Sequence, residues 1–310
     1  MLQFTIRRLL YSIPILLGAT LIVFFLFDVA GGNPVYRMLG KNASPAEIAR
    51  LTHAMGLDRP LFIRYFDYLG DLFRFDLGRS WETKQRISEM FADGIGPSMS
   101  LALPAFILGV LLSIGIAMIA ALYRNRLPDR LLVIFTVMGM SISILALIIG
   151  AQYVFAFRWD LFPISGYEKG LRGLPYLALP MLIWIVNQLG GDVRFYRTVF
   201  LEELGREYVV TARAKGLSML QVMFGHVLKN AMLPIISRVA TDLPLIITGS
   251  LLLENFFGIP GLGNMSIRAV YASDFQVIKA MTLIGTAAYI ASNLLGDLLY
   301  ALFDPRVRLS

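Results

Sequence analysis

Residues 207–234 read EYVVTARAKGLSMLQVMFGHVLKNAMLP and form a polar, basic interruption between two long apolar segments. Residues 207–215 contain good helix formers. Gly216 predicts the end of that helix, because glycine is disfavoured inside helices and favoured just after them. Ser218 is a suitable N-cap for a second helix that leads into the next apolar segment. The stretch therefore predicts two short helices around a glycine, and we call it the 207–234 loop.

The 207–234 loop has two interpretations from its own residues. In the first helix Val210 and Ala214 are four residues apart and predict an apolar face, with Arg213 and Lys215 displaced from it. Held rigidly between two membrane spans, such a helix pair would present a compact knob to a soluble partner. The other interpretation is an ordinary basic loop whose amphipathic helix lies on lipid headgroups.

The composition predicts a membrane protein. Hydrophobic residues make up 57% and charged residues 16% of the 310 residues, and the mean hydropathy is +0.67. These values are too apolar for an ordinary soluble domain of this length. The sequence contains no cysteine, which excludes disulfides and thiolate metal sites, and its two histidines, His53 and His226, are too far apart to favour a metal site.

The net charge of +7 is distributed in a way that requires no nucleic acid to explain it. The cations cluster beside the apolar segments, as in the positive-inside pattern of membrane proteins. These clusters are Arg7 and Arg8 before the first segment, Arg124, Arg126 and Arg130 after the second, and Arg306 and Arg308 after the last. We therefore predict that both termini lie in the cytoplasm.

Six apolar segments are long enough to cross a bilayer as helices. They cover residues 9–26, 98–123, 131–157, 174–189, 232–257 and 277–303. The fold class is therefore predicted to be all-α, with six transmembrane helices and a long external loop between the first two. In the second segment Gly109, Ser113, Ala117 and Ala121 recur every four residues, which predicts close packing of another helix along that line.

The predicted organisation has four parts. These are residues 1–30 with the N-terminus and the first span, an external loop at 31–97, a five-helix core at 98–303 that includes the 207–234 loop, and a cytoplasmic tail at 304–310. The external loop contains nine Lys or Arg and eight Asp or Glu residues. A loop of this length crosses the membrane largely regardless of its charge.

No catalytic signature is present, and the chain lacks the phosphate-binding string G-x-x-x-x-G-K-[ST]. We therefore predict that the chain is not itself an enzyme, and that nucleotide binding of the P-loop kind comes from another polypeptide. The residues that stand out are polar groups inside apolar segments, namely Asn187, Gln188, Asp242, Glu254, Asn293 and Asp297. A charge at membrane depth costs roughly 2.5–3.5 kcal/mol, so each needs a partner or a water-lined path. Glu254 and Asp297 lie near span ends, where we predict structural roles.

Asn187, Gln188 and Asp242 are the candidates for a pore, because buried polar groups in membrane spans commonly mark a transport path. Asp242 lies well inside the fifth segment. It either faces the pore or forms an ion pair with Arg238, one helical turn earlier. The sequence leaves both interpretations open.

The string around Gly216 resembles the cytoplasmic coupling loop of the oligopeptide/dipeptide family of ABC importer permeases. The matching positions are Tyr208, residues 211–217, His226, Asn230, Ala231 and Pro234. The general importer consensus has Glu-Ala-Ala where this chain has Val210-Thr211-Ala212, so Glu207 is not equated with that glutamate.

This resemblance implies a type I ABC importer permease fold in the bacterial inner membrane, and ATP-driven uptake of peptides or similar small solutes. It also implies a second related permease, two cytoplasmic P-loop ATPases that bind ATP and Mg, and an external substrate-binding protein. The chain itself is expected to hold no cofactor. The implied contacts with the ATPases are Glu207, Tyr208, Thr211, Ala212, Arg213, Ala214, Lys215, Gly216 and Leu217.

The alternative from another class is an ion-coupled secondary transporter, because six spans with buried carboxylates could couple ions to a solute. A signalling or scaffold membrane protein is a third interpretation. The secondary transporter would take up its solute alone in an ion gradient, whereas the importer would take up none without its ATPases.

Overall fold

The structure is a computed structural model that describes residues 2–30, 35–39 and 44–303. Within these residues the regular structure is helical, apart from one isolated bridge between Arg79 and Arg86. The α-helices, in chain order, are α1 Leu2–Phe24, α2 Val35–Leu39, α3 Pro45–Ala54, α4 Leu61–Phe73, α5 Ile87–Leu122, α6 Leu127–Ser141, α7 Ile144–Ala151, α8 Leu174–Leu204, α9 Glu207–Ala214, α10 Met219–Val222, α11 Leu228–Asp242, α12 Pro244–Thr248, α13 Leu251–Phe256, α14 Leu262–Ala272 and α15 Phe275–Phe303. The predicted tail at 304–310, with Arg306 and Arg308, lies outside the described residues.

Shorter helical segments extend several of these helices. Phe25–Ala30, Gln152–Arg158 and Met223–Val227 are π-helical, and Gly170–Gly173 is a 3₁₀ turn. The π segments continue α1 and α7 and join α10 to α11, so each lengthens an apolar helix without a break.

The membrane spans agree with the prediction in number when one bent pair is counted as a single span. Five helical stretches are long and apolar enough to cross a bilayer, namely Leu10–Val29, Ile87–Leu122, Gly170–Leu204, Met219–Phe256 and Phe275–Gly296. The pair Leu127–Ser141 and Ile144–Arg158 supplies the sixth, and its two halves are bent by 96°.

The third span is therefore not the single straight helix that residues 131–157 predict. Ile142 and Ser143, between α6 and α7, have extended backbones with ψ of 126° and 137°. The apolar run conceals this break, because every residue near it is compatible with a helix buried in lipid.

The fifth span is also broken, although residues 232–257 predict one helix. Pro244 has no N–H to continue the hydrogen bonding of α11, which ends at Asp242. Gly249 then adopts a left-handed backbone with φ of +75°. A side chain there would meet the Ser98 hydroxyl at 2.9 Å and the Gly263 amide nitrogen at 3.0 Å. Glycine is thus required at the second break by both conformation and space.

The predicted line of small residues on the second span is confirmed as a packing face. Gly109, Ser113, Ala117 and Ala121 are all buried in α5, and α5 packs along α8. Ala117 and Ala121 belong to an apolar core shared with α8 and the 207–234 loop. Small side chains allow the backbones of α5 and α8 to approach closely. This packing holds α8 in place, and α8 carries the polar residues Asn187 and Gln188.

An ion cluster connects the segment between the first two spans to the rest of the helices. Lys279 in α15 is 7% exposed, and its Nζ lies 2.7 Å from Asp28 Oδ2 at the end of the first span. Arg64 in α4 places its Nη2 3.0 Å from the other oxygen of Asp28. The first span, α4 and the last span are therefore held together at one carboxylate.

Candidate functional site

The 207–234 loop folds as two helices separated by a glycine, as its sequence predicts. α9 covers Glu207–Ala214, and Gly216 has φ of +86° just beyond it. Ser218 caps α10 with a reciprocal pair of bonds: its hydroxyl accepts from the Gln221 amide at 3.4 Å, and its own amide donates to Gln221 Oε1 at 2.8 Å. The predicted glycine break and N-cap are both confirmed.

The side of α9 that packs against the core is not the side that carries Val210 and Ala214. Val210 is 68% exposed and Ala214 is also exposed, whereas Val209 and Ala212 are buried at 6% each. These two residues pack in the core that α9 shares with α5 and α8. The spacing of buried residues is therefore i,i+3, which the i,i+4 pair in the sequence did not reveal.

The second half of the loop is anchored in the same core. Val222, Met223 and Val227 are fully buried there. Leu220 and Phe224 point away from it and are 59% and 63% exposed. The loop thus has a buried face that attaches it to the membrane helices and an open face that carries apolar side chains.

The nine predicted coupling residues divide by exposure. Glu207, Thr211, Arg213, Ala214, Lys215 and Gly216 are exposed, Tyr208 and Leu217 are half-buried, and Ala212 is buried. The Tyr208 hydroxyl donates to Glu203 Oε2 at 2.7 Å. Burial, together with this hydrogen bond, raises the pKa of Tyr208 to about 12, so the phenol keeps its proton and the bond. Tyr208 therefore joins α9 to the end of α8.

A cavity of about 740 Å³ lies among α8, the broken fifth span, α14 and α15. Asn187, Gln188 and Asp242 all line it. The structure therefore brings together the three residues that the sequence nominates for a pore. Their role in transport stays a prediction.

The charged residues that line this cavity form a cluster of three. Arg238 Nε lies 3.3 Å from Asp192 Oδ1 and 3.7 Å from Asp242 Oδ2. Gln188 Nε2 donates to the other oxygen of Asp192 at 2.8 Å. Both interpretations of Asp242 are thus compatible with the structure, since it lines the cavity and also faces Arg238.

Sequence reasoning missed Asp192, which is 1% exposed and is the nearer partner of Arg238. The apolar run predicts a span that ends at residue 189, which places Asp192 beyond the membrane. The helix continues to Leu204. The position of Asp192 four residues after Gln188 is the signal that could have joined them on one helix face.

Glu254 is fully buried and accepts hydrogen bonds from two parts of the chain. Its Oε1 accepts from the Ser98 hydroxyl at 2.9 Å and the Ser250 amide at 3.1 Å. Its Oε2 accepts from the amides of Gly263 at 2.7 Å and Asn264 at 3.1 Å. A structural role for Glu254 requires hydrogen bonds of this kind between a helix and the neighbouring turn. Asp297, the other residue given that role, lies in α15, but its side chain is outside the described part.

The structure thus combines membrane-spanning helices, a cavity that holds a charged cluster and a capped loop packed on the helices, which is the architecture of a helical membrane transport protein. The chain belongs to the family described as binding-protein-dependent transport system inner membrane component, which matches residues 113–309. The N-terminal part of such membrane components matches residues 1–102.

Curated relatives match the chain over nearly its full length. A putative peptide permease protein of Brucella ovis is 32% identical over 319 residues, covering 100% of both chains. A putative peptide transport system permease protein of Brucella abortus is 32% identical over 307 residues, covering 98% of both. The glutathione transport system permease protein GsiC of Salmonella typhimurium is 32% identical over 308 residues, covering 99% of both.

The chain is therefore a permease subunit of the peptide branch of ABC importers, and a multi-pass inner-membrane protein. The family predicted from the 207–234 loop is confirmed, and so is the fold class. Membership favours an importer over the ion-coupled secondary transporter that composition left open.

We predict that Asp192 and Asp242, the two carboxylates of the cavity, contribute unequally to the stability of the fold. Asp192→Asn neutralises a carboxylate whose side chain is 2% exposed, and it weakens the bonds to Arg238 and Gln188. Arg238 is itself 41% exposed and keeps Asp242, so we expect the cost of a lost hydrogen bond to a charged group, about 1.5–3 kcal/mol. Asp242→Asn acts on a side chain that is 23% exposed and farther from Arg238, so we expect a cost of about 1 kcal/mol or less. The apparent unfolding temperature of the purified transporter in detergent measures the difference. Equal losses in the two variants would contradict this ranking.

Proposed function

We propose that this permease is one of two related membrane subunits of an ATP-driven importer for peptides or similar small solutes. In this proposal two P-loop ATPases on the cytoplasmic side bind ATP and Mg, and an external binding protein delivers the solute. The permease binds no nucleotide itself. Its 207–234 loop receives the movement of the ATPases and transmits it to the helices around the cavity.

The observation that carries this proposal is the rigid attachment of the loop. Val209, Val222 and Met223 are buried in one core with α5 and α8. A force on the loop therefore moves α8 and α11 as well, since a close-packed core does not yield locally. α8 carries Asn187, Gln188 and Asp192, so the same movement reaches the wall of the cavity.

The open face of the loop suits a protein partner. Val210, Leu220 and Phe224 are each more than half exposed, and the same loop exposes the cations Arg213 and Lys215. An apolar patch with a charged rim is the usual composition of a protein interface. We assign this face, with the exposed members of the nine coupling residues, to the ATPase.

The proposed orientation places the loop and both termini in the cytoplasm and residues 31–97 outside. Clusters of arginine support it, because they lie at the same ends of the spans as the 207–234 loop. These are the arginines at 124, 126, 130, 194 and 197. The proposed division of the chain follows, with segments 1–30, 31–97, 98–303 and 304–310.

The cavity is proposed as part of the solute path. Among the described residues that line it, Asp192 and Asp242 are acidic and Arg238 is basic, which leaves one net negative charge. Such a site favours a solute with an ammonium group, which peptides carry at the amino terminus. Relatives named for peptide transport agree with this class of solute.

Gly216 provides a test of the loop. A Cβ at this position would meet nothing within 4 Å, so the only obstacle to a side chain is the backbone at φ of +86°. Gly216→Val should cost about 1–3 kcal/mol locally, because a β-branched residue does not tolerate that conformation. We expect the variant to insert in the membrane and to lose assembly with its ATPases or their stimulation. Gly216→Asn tolerates the conformation and should retain both, as measured by pull-down and ATP hydrolysis in reconstituted complexes.

If Gly216→Val assembles and couples normally, the loop has no part in the mechanism. If the isolated permease instead accumulates solute in an ion gradient, the secondary-transporter alternative is correct.

The cysteine-free sequence makes the orientation directly measurable. We predict that an impermeant thiol reagent applied to spheroplasts labels Ser44→Cys and spares Ser218→Cys until the membrane is opened. Both positions are exposed, so burial does not limit the reaction. Labelling in the reverse order would overturn the orientation and with it the docking role of the loop.

The charge of the cavity can be probed without knowing the solute. Thr282 lines the cavity and is exposed to it. In a Thr282→Cys transporter we expect a cationic methanethiosulfonate reagent to react faster than an anionic one. Asp242→Asn should lower that rate ratio several-fold, because it removes a negative charge that attracts the cationic reagent and repels the anionic one.

Asp67→Asn is the matched control, because it removes a carboxylate that pairs with Arg59 outside the cavity. It should leave the ratio unchanged. If Asp242→Asn also leaves the ratio unchanged, Asp242 does not act on the cavity and its pore assignment is wrong.

A further inference from the structure

Helix α4, in the polar segment between the first two spans, carries an apolar surface that no described part of the chain covers. Phe62 and Phe66 are 65% and 67% exposed on the helix, and Phe73 and Phe75 at its end are 81% and 88% exposed. Aromatic rings at this exposure are not the surface of a water-facing helix. The surface therefore requires an apolar neighbour.

The depth of α4 relative to the first span indicates what that neighbour is. The hydroxyl of Tyr65 lies 3.1 Å from the Thr20 hydroxyl and 3.3 Å from the Leu17 carbonyl oxygen. The Tyr65 ring packs 5.4 Å from the ring of Phe24. Phe24 is five residues inside the span that ends at Val29, which is about 7 Å along a helix. The first half of α4 thus lies below the end of the hydrophobic span.

The second half of α4 is held at a similar level by the last span. Tyr68 and Leu72 face Lys279 and Leu283 across a small cavity. These two residues of α15 lie in the first turns of the span that begins at Phe275. Both halves of α4 are therefore level with the outer turns of membrane helices, at the depth of about 5–10 Å where amphipathic helices lie in a bilayer.

The exposed face of α4 also lies next to an apolar surface of the first span that the described residues leave open. Leu21 and Phe25 on α1 are 53% and 57% exposed, in a span of which little is buried by protein. α4 packs on the same stretch of α1 through Tyr65 and Phe24. Acyl chains that cover Leu21 and Phe25 would reach the rings of α4 without interruption.

Three arginines lie at the end of α4 and in the segment that follows it. Arg74, Arg79 and Arg86 line one cavity of about 510 Å³, together with Asp76. Asp76 is the single carboxylate among the described residues of that lining, and it accepts a hydrogen bond from the Gly78 amide at 2.9 Å. The excess of two positive charges suits a phosphate group, which arginine binds in a bidentate manner.

We propose that α4 is an interfacial membrane helix that binds an anionic phospholipid. Phe62, Phe66, Phe73 and Phe75 enter the leaflet at the C-terminal end of α1, and Arg74, Arg79 and Arg86 hold the phosphate of the lipid headgroup. The combination of apolar rings at this depth with a cationic cavity beside them distinguishes a lipid from a water-soluble partner. The proposal goes beyond the import function and does not depend on the 207–234 loop.

The depth of α4 is measured with nitroxide labels on single cysteines in the assembled transporter, reconstituted in vesicles of phosphatidylcholine and phosphatidylglycerol. We expect Phe66→Cys to show a high ratio of collisions with oxygen over a water-soluble nickel chelate. Leu21→Cys on α1 is the lipid reference, and Ala49→Cys on α3, which is exposed, is the water reference. Phe62→Cys is the second reporter if Phe66→Cys does not assemble.

Each possible collision ratio at Phe66→Cys either supports or overturns the proposal. A ratio close to that of Leu21→Cys supports the proposal. A ratio close to that of Ala49→Cys means that α4 faces water, and exclusion of both probes means that a protein covers it, so either result overturns the proposal. ATP-driven uptake by the same vesicles tests the import function separately.

The headgroup site is tested with a bimane label on Phe75→Cys and doxyl-labelled lipids. We expect doxyl-phosphatidylglycerol to quench the bimane at a several-fold lower mole fraction than doxyl-phosphatidylcholine. The combined change of Arg74→Gln, Arg79→Gln and Arg86→Gln should make the two lipids equivalent, whereas Arg50→Gln, an exposed cation on α3, should preserve the preference. Equal quenching by the two lipids with all three arginines present would overturn the headgroup site.

Discussion

A buried carboxylate must have a charged or hydrogen-bonding partner, and this requirement links the helices of the permease to one another. Asp28 binds both Lys279 and Arg64, which joins the first span to the last span and to α4. Asp129 accepts two bonds from Arg197, at 2.6 and 2.8 Å, and joins α6 to α8. Asp192 and Arg238 join α8 to α11. Each pair connects helices that are distant in sequence, so the polar groups specify which helices are neighbours.

The breaks in the third and fifth spans lie at the cavity, which Ile144 and residues 248–253 line. At Gly249 the fifth span is interrupted and the chain turns. Beside this turn Glu254 accepts hydrogen bonds from the amides of Gly263 and Asn264. Between this turn and the 207–234 loop lies α11, which carries Arg238 and ends at Asp242. One helix therefore connects the loop, which is proposed to meet the ATPases, to the charged wall of the cavity.

Family resemblance located the loop correctly but did not determine which of its faces is open. In α9 the core takes Val209 and Ala212, so Val210 is turned outward with Leu220 and Phe224. The rotation follows from packing against Tyr196 and Phe200 of α8, which are fully buried beneath the loop. An eight-residue helix is too short for its own hydrophobic pattern to decide its orientation.

The sequence alone determined the class of this protein, the number of its spans, the glycine break at Gly216 and the cap at Ser218. These features depend on hydropathy, glycine conformation and local hydrogen bonding, which act within a few residues. The bend at Ile142, the partner of Arg238 and the depth of α4 were decided only by the tertiary structure. They depend on contacts between segments far apart in the chain, such as α4 with α1, and a uniformly apolar sequence carries no local signal for them.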